Sequence, residues 1–310
     1  MKYTIQALVG LTVAGLTAGA TAQFAPFNGL YTQDFNGLAV WSESDIFPLS
    51  VSIPGKGPHP IEGVLGATGM EGWYGGNPDG GGAAGDNTEF KAHNGDFGSS
   101  TGRGIVSLGA SGSSDRALGF VPTSQQRNWV GVVLENTSDV TYGAITVAYR
   151  GEQWRSGDPD IFNVIEFTYG FGDSLDDAET LVSELTFHAP FLDGINFGID
   201  GNDPANQEEL EATITGLSWA PGETLVLRWK TNELPGQDNG LAIDDLIVTG
   251  IEGGPACPAD LNGDGSVDSA DLLALLNAWG FCPGCPEDLN GDGTVDSADL
   301  LELLSAWGDC

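Results

Sequence analysis

The chain has 310 residues, 44 of them acidic and 10 basic, for a formal net charge of −34. That balance excludes nucleic acid, whose phosphates require clustered Lys and Arg, and disfavours an anionic membrane surface, while it suits solubility and divalent cations. Forty-seven glycines point to a turn-rich all-β domain, and the length allows one sizeable domain plus a small module.

The N-terminus reads as a leader. Lys2 precedes an uncharged run of apolar and small residues from Ile5 to Ala20, and Ala20-Thr21-Ala22 offers a small-x-small cleavage pattern. These features predict a signal peptide over residues 1–22, cut before Gln23, with a membrane anchor as the alternative. No later stretch is long and apolar enough to span a bilayer. The mature protein is therefore expected to be secreted or at the cell surface, with no membrane span.

Residues 23–250 read as β structure. Alternation is clear in Ile145–Tyr149, Ile165–Tyr169 and Leu225–Trp229, and further strands are predicted at Trp129–Glu135, Leu181–Phe187, Leu210–Gly216 and Leu241–Val248. About ten strands separated by turn signals such as Asp158-Pro159 predict a two-sheet sandwich, a jelly roll, with a barrel as the alternative. The stretch from Gly66 to Gly104, with Gly80-Gly81-Gly82, reads as long loops able to carry function. Trp73 and Tyr74 in that stretch, and Trp154 at a strand end, are candidates for stacking on the apolar faces of a glycan.

Catalytic motifs are sparse. His59, His93 and His188 form no metal-type pair, Gly109-Ala110-Ser111-Gly112-Ser113 lacks the register of a nucleophile elbow, and no phosphate loop appears. The best carboxylate pair for glycoside hydrolysis is Glu152 with Glu166, expected on adjacent strands. In a chain this acidic such a pair arises readily by chance, so the reading leans toward a non-catalytic protein.

The domain resembles the jelly-roll domains of secreted bacterial proteins that carry surface-sorting or dockerin-like tails. The resemblance lies in Gln33-Asp34-Phe35-Asn36, in Tyr149-Arg150-Gly151-Glu152-Gln153-Trp154-Arg155, and in the closing segment Gly240–Leu246. It implies a carbohydrate-binding or lectin-like sandwich, with a structural calcium ion at Asp245 as a further expectation.

After a linker over 251–256, residues 257–310 contain a near-perfect duplication: CPADLNGDGSVDSADLLALLNAWGFC from Cys257 and CPEDLNGDGTVDSADLLELLSAWGDC from Cys285. Each copy spaces oxygen side chains as a calcium loop does. The expected ligands are Asp260, Asn262, Asp264, Asp268 and Asp271 with the Ser266 carbonyl, then Asp288, Asn290, Asp292, Asp296 and Asp299 with the Thr294 carbonyl. Gly265 and Gly293 stand where the loop turns, and leucines at helical spacing follow each loop. Cys257, Cys282, Cys285 and Cys310 suggest two disulfides. Pairing within each repeat, Cys257–Cys282 and Cys285–Cys310, is preferred over a Cys257–Cys310 clasp with a Cys282–Cys285 bridge. A CxxC zinc or redox site is a weaker option.

The duplicated segment is similar to type I dockerin modules, half EF-hands written twice. The likeness implies two calcium ions, a small helical module, and docking to a cohesin-like protein or a cell-surface component, with Ser269-Ala270 and Ser297-Ala298 at the family's recognition positions. It implies either an attachment tail on a glycan-binding sandwich or a component of an extracellular polysaccharide-degrading enzyme. A structural matrix or surface protein is the third reading.

Overall fold

The computed structural model describes residues 24–43, 49–78, 87–96, 104–122, 127–159, 161–192, 194, 196–232, 234, 236–253, 257–262 and 265–309. The signal-peptide expectation, most of the Gly80 loop, part of the linker, Asp264 and Cys310 fall outside these residues.

Two large sheets face each other across one apolar core. The strands in chain order are β1 Ala25–Phe27, β2 Leu30–Gln33, β3 Leu49–Ile53, β4 His59–Pro60, β5 Trp73–Gly76, β6 Thr88–His93, β7 Gly104–Leu108, β8 Ala117–Val121, β9 Trp129–Asn136, β10 Tyr142–Arg155, β11 Val164–Phe171, β12 Thr180–Leu181, β13 Phe187–His188, β14 Gln207–Trp219, β15 Thr224–Thr231 and β16 Gly240–Glu252. The first sheet runs β12-β11-β15-β9-β5-β4, with β1 against β9 and β13 against β11; the second runs β14-β10-β16-β8-β7-β6-β3, with β2 against β16. The sheets form a sandwich rather than a barrel.

Period-two patterning explains the core. Ile145, Val147 and Tyr149 of β10 face Val130, Val132 and Leu134 of β9, joined by Leu225, Leu227, Trp229, Ile243 and Leu246. Strand β9 is buried on both faces, because Trp129 and Val133 meet Leu175, Ala178 and Val226 on the far side of its sheet. That is why its sequence is almost continuously apolar. The second sheet also carries a small outer core of Val106, Leu108, Ala117, Val121, Trp154 and Ala242.

The expected strand Leu181–Phe187 is instead two short strands, β12 and β13, around a 3-10 turn at Ser183–Leu185. Leu185 is buried while its neighbours Ser183, Glu184 and Thr186 are not. The turn is closed by Leu185 N–H donating to the Val182 carbonyl and Thr186 N–H donating to that of Ser183, both at 3.1 Å.

The C-terminal segment contains β17 Ser266–Val267, helix α1 Ser269–Asn277, β18 Gly280–Phe281, β19 Thr294–Val295, helix α2 Ser297–Ser305 and β20 Gly308–Asp309. Strand β17 pairs with β20 and β18 with β19, around a core of Ala259, Val267, Leu275, Val295 and Leu303. Asp268 and Asp296 cap the helices, each in a capping box closed by Asp271 or Asp299. The aspartates expected as ligands serve the backbone. Asp271 accepts from the N–H of Leu261, Asn262 and Asp268 at 2.8, 3.1 and 2.8 Å. Asp260 accepts from Gly265, Asp288 from Gly293 and Asp292, and Asp299 from Asn290 and Asp296.

These observations correct the calcium reading. Among the described residues, the ligand-type side chains that converge within 4.8 Å of one another are Cys282, Cys285 and Glu287, not the loop acids. Cys282 and Cys285 are joined as a disulfide, which leaves no thiolate for a metal. The EF-hand-type calcium loops, the two calcium ions and the dockerin likeness built on them are therefore overturned, and the extra calcium at Asp245 goes with them. The preferred within-repeat disulfides are corrected too. Pro283-Gly284 makes a tight turn, with Gly284 at φ +79°, that brings the Cys282 and Cys285 Cα atoms to 5.7 Å. Cys257 is also disulfide-bonded.

Candidate functional site

The side chains that could meet a ligand lie on the outer face of the second sheet. Alternation along β10 places Ala148, Arg150, Glu152 and Trp154 there, opposite to Val147 and Tyr149, which enter the core. On β16, Leu241 and Ile243 point inward, as do Leu246 and Val248. The one-residue change of phase is a bulge. The register passes from Arg150↔Asp244 to Ala148↔Ile247, with Asp245 at φ +48°. The bulge puts two consecutive aspartates, Asp244 and Asp245, beside Arg150 and Glu152.

Two cavities open along this face. One, of about 640 Å³, includes Gln33, Asp34, Arg150, Glu209, Asp245 and Ile247 in its lining. Arg150 donates to Glu209 at 2.8 Å and to Asp245 at 2.7 Å, so its guanidinium is fixed across three strands. The other, of about 430 Å³, lies at the end of β10 between Trp154, Phe197, Asn94, Ser111, Asp200 and Glu43. Its far wall is the segment after β13, held to the strand by Ile199 N–H donating to the Trp154 carbonyl and Ser156 N–H donating to that of Phe197, both at 3.0 Å. Two close approaches make this wall. A Cβ on Gly201 would stand 2.3 Å from the Trp154 indole, and one on Gly95 2.0 Å from its carbonyl oxygen.

Between the cavities sits Glu152, fully buried. Its Oε2 accepts from Trp154 Nε1 at 2.7 Å, while Oε1 has no hydrogen-bond partner. Burial pushes its carboxyl up to about 7, and burial together with the charge of Glu152 pushes Asp244 up to about 8. Nearby, His93 stacks on Trp41 with ring centres 4.6 Å apart, and burial pushes its imidazole down to about 4.

The expected stacking residues fare unequally. Trp73 is 0% exposed: it stacks on Trp229, meets Phe35 edge-on, and donates Nε1–H to the Tyr31 hydroxyl at 2.7 Å. It is core and cannot meet a sugar. Tyr74 is half-buried against Trp129 and its neighbours. Trp154 does line a cavity, yet it is only 2% exposed. The exposed ring there is Phe197, 38% accessible, which the sequence reading did not single out. An aromatic beside glycine, in Asn196-Phe197-Gly198, was its only signal. Glu152 and Glu166 do not pair as expected. Glu152 lies on β10 of the second sheet, and Glu166 on β11 of the first, opposite Lys230 of β15.

No family model matches the chain, and no curated protein matches it. Solved structures do show similarity. The K3 cleaved adhesin domain of Lys-gingipain from Porphyromonas gingivalis is 11% identical over 57% of this chain and 91% of its own, with TM-score 0.31. A carbohydrate-binding module described for specific mannan recognition is 12% identical over 65% of this chain and 98% of its own, with TM-score 0.30. The enzymatically active domain of bacteriophage CBA120 tailspike protein 4 is 7% identical over 44% of this chain, at TM-score 0.25, and the match spans only 16% of that protein. Likeness at this level carries no argument about what this chain binds. No helix among the described residues is long and apolar enough to cross a membrane.

Proposed function

We propose that the protein is an exported, non-catalytic binding protein whose sandwich holds a neutral glycan in the cavity between Trp154 and Phe197. The observation that carries this reading is the make-up of that cavity. An exposed aromatic ring stands beside Asn94, Ser111, Asp200 and Glu43 in a space of about 430 Å³. A flat apolar surface meets the C–H face of a sugar ring, and amide, hydroxyl and carboxylate groups bond its hydroxyls. The acids of the lining and the charge of the whole chain oppose a polyanion. The apolar leader supplies the export part of the reading.

Affinity electrophoresis of the full mature chain through gels containing mannan, xylan, galactan or polygalacturonate tests it. At least one neutral polysaccharide should retard the protein and polygalacturonate should not. Phe197→Ala should weaken retardation about tenfold or more, as loss of a stacking aromatic does, with the melting temperature unchanged. Products released from the bound glycan should be absent, because the two candidate carboxylates lie on different sheets. Retention of none of the neutral polysaccharides, or retention indifferent to Phe197→Ala, would overturn the reading.

A further inference from the structure

Arg150, Glu152 and Trp154 occupy alternate positions on one face of β10, so Glu152 stands between the two cavities. Register pairs Glu152 with Ala242, which makes Asp244 its diagonal neighbour on the same face. Other charged groups face it: Arg150 on its own strand, Asp245 on β16, and Asp115 in the β7–β8 connection. Asp115 is held by Asn202 Nδ2 at 2.8 Å. On β14 the register partner is the neutral Gln207. The Trp154 indole lies between Gly201 on one side and the Glu152 carboxyl on the other. Glu152 thus has one oxygen committed to the cavity wall and one buried oxygen without a partner.

We propose that Glu152 is the positioning residue for the Trp154 wall of the glycan cavity, and that a proton on the Glu152–Asp244 pair keeps that wall in place. This proposal rests on the glycan reading of the cavity. With a proton on the pair, Glu152 Oε2 accepts the indole N–H and the proton is shared between the Glu152 and Asp244 carboxyls, so that they do not face each other as two anions. Once the proton leaves, two buried anions face each other with Asp115 and Asp245 close by, and Arg150, the cation beside Glu152 among the described residues, already bonds Glu209 and Asp245. The raised pKa values of the pair put that loss near neutrality. Affinity of the cavity should therefore be flat at mildly acidic pH and fall as pH rises through about 7 to 8.

The test follows the Trp154 indole N–H by NMR on the 15N-labelled full mature chain, assigned by its disappearance in Trp154→Phe. Its resonance should titrate with a midpoint between about pH 7 and about pH 8. Glu152→Gln, which keeps an acceptor without a charge, should hold the resonance at its low-pH position throughout. Asp244→Asn, whose fold is checked by circular dichroism, should move the midpoint to lower pH. A resonance that is flat in the wild type, or one that still titrates in Glu152→Gln, overturns the proposal. So does a transition seen in chelator that vanishes in millimolar calcium chloride, since a cation would then stand where the proton was placed. None of these readings needs a polysaccharide. An intact titration with no binding to mannan, xylan or galactan would instead remove the glycan reading.

Discussion

Asp271 and Asp299 in the C-terminal module and Glu152 and Asp244 in the sandwich are all buried carboxylates, and their surroundings are opposite. In the module each acid closes a capping box and gathers backbone N–H groups from the preceding loop. Asp299 is held below the ordinary carboxylate range, chiefly by the Asp296 N–H. In the sandwich the acids lie on a sheet face where the backbone N–H groups are already used by the ladder. Glu152 gains one indole N–H and Asp244 the N–H of Asp245, and both are pushed upward. The difference lies in donor supply. A loop has several free N–H groups to offer a charge, whereas the strands here offer only the Asp245 N–H at the β16 bulge.

The largest effect that would sharpen this comparison is removal of an acid from the donor-rich site. Asp271→Ala strands three N–H groups and should destabilise the module by about 3 kcal/mol or more. Hydrogen exchange of residues 257–309 should speed up while exchange in the sandwich core stays unchanged. Next comes relief of the donor-poor site. Glu152→Gln should raise sandwich stability at pH 8 by on the order of 2 kcal/mol and change nothing below about pH 4. Urea titration at both pH values measures this, and equal effects at both would break the comparison.

Smaller effects follow from pH alone. For Glu152 and Asp244, folded pKa values above the unfolded ones mean that the native state binds more protons. Sandwich stability should therefore fall as pH rises from about 4 toward about 8 and level off above it. For Asp299 the sign reverses. Its contribution is present above the unfolded carboxylate value and is lost as pH falls through the depressed folded value. Thermal melts of the full chain should show the sandwich transition falling as pH rises from about 4 to about 8, and the module transition falling only below about pH 4, by a few degrees each.

Much of this was legible in residue order. The alternation in Ile145–Tyr149 and Leu225–Trp229 marks real core strands, because each inward side chain must be apolar and each outward one need not be. The helices after the duplicated loops were equally visible, since their caps and leucine spacing are local features. The β16 bulge was not. The run Leu241–Val248 shows a pair of adjacent aspartates, but no local pattern says which way each points once Asp245 takes a left-handed conformation. Nor could Trp73 be told from a ligand-facing tryptophan, because its burial depends on Trp229 and Phe35, which are distant in the chain.

The sequence by itself determined the strand-rich domain, the duplicated module, its capped helices and the acidic charge, all of which rest on neighbours a few residues apart. Tertiary structure decided the rest. It paired Cys282 with Cys285 through a turn, spent the loop acids on backbone N–H groups, and sent Glu152 and Glu166 to different sheets. It also brought Phe197 to the cavity edge beside Trp154. Each of these depends on where the chain returns in space, and hydrophobic periodicity specifies which face is buried without specifying what will lie against it.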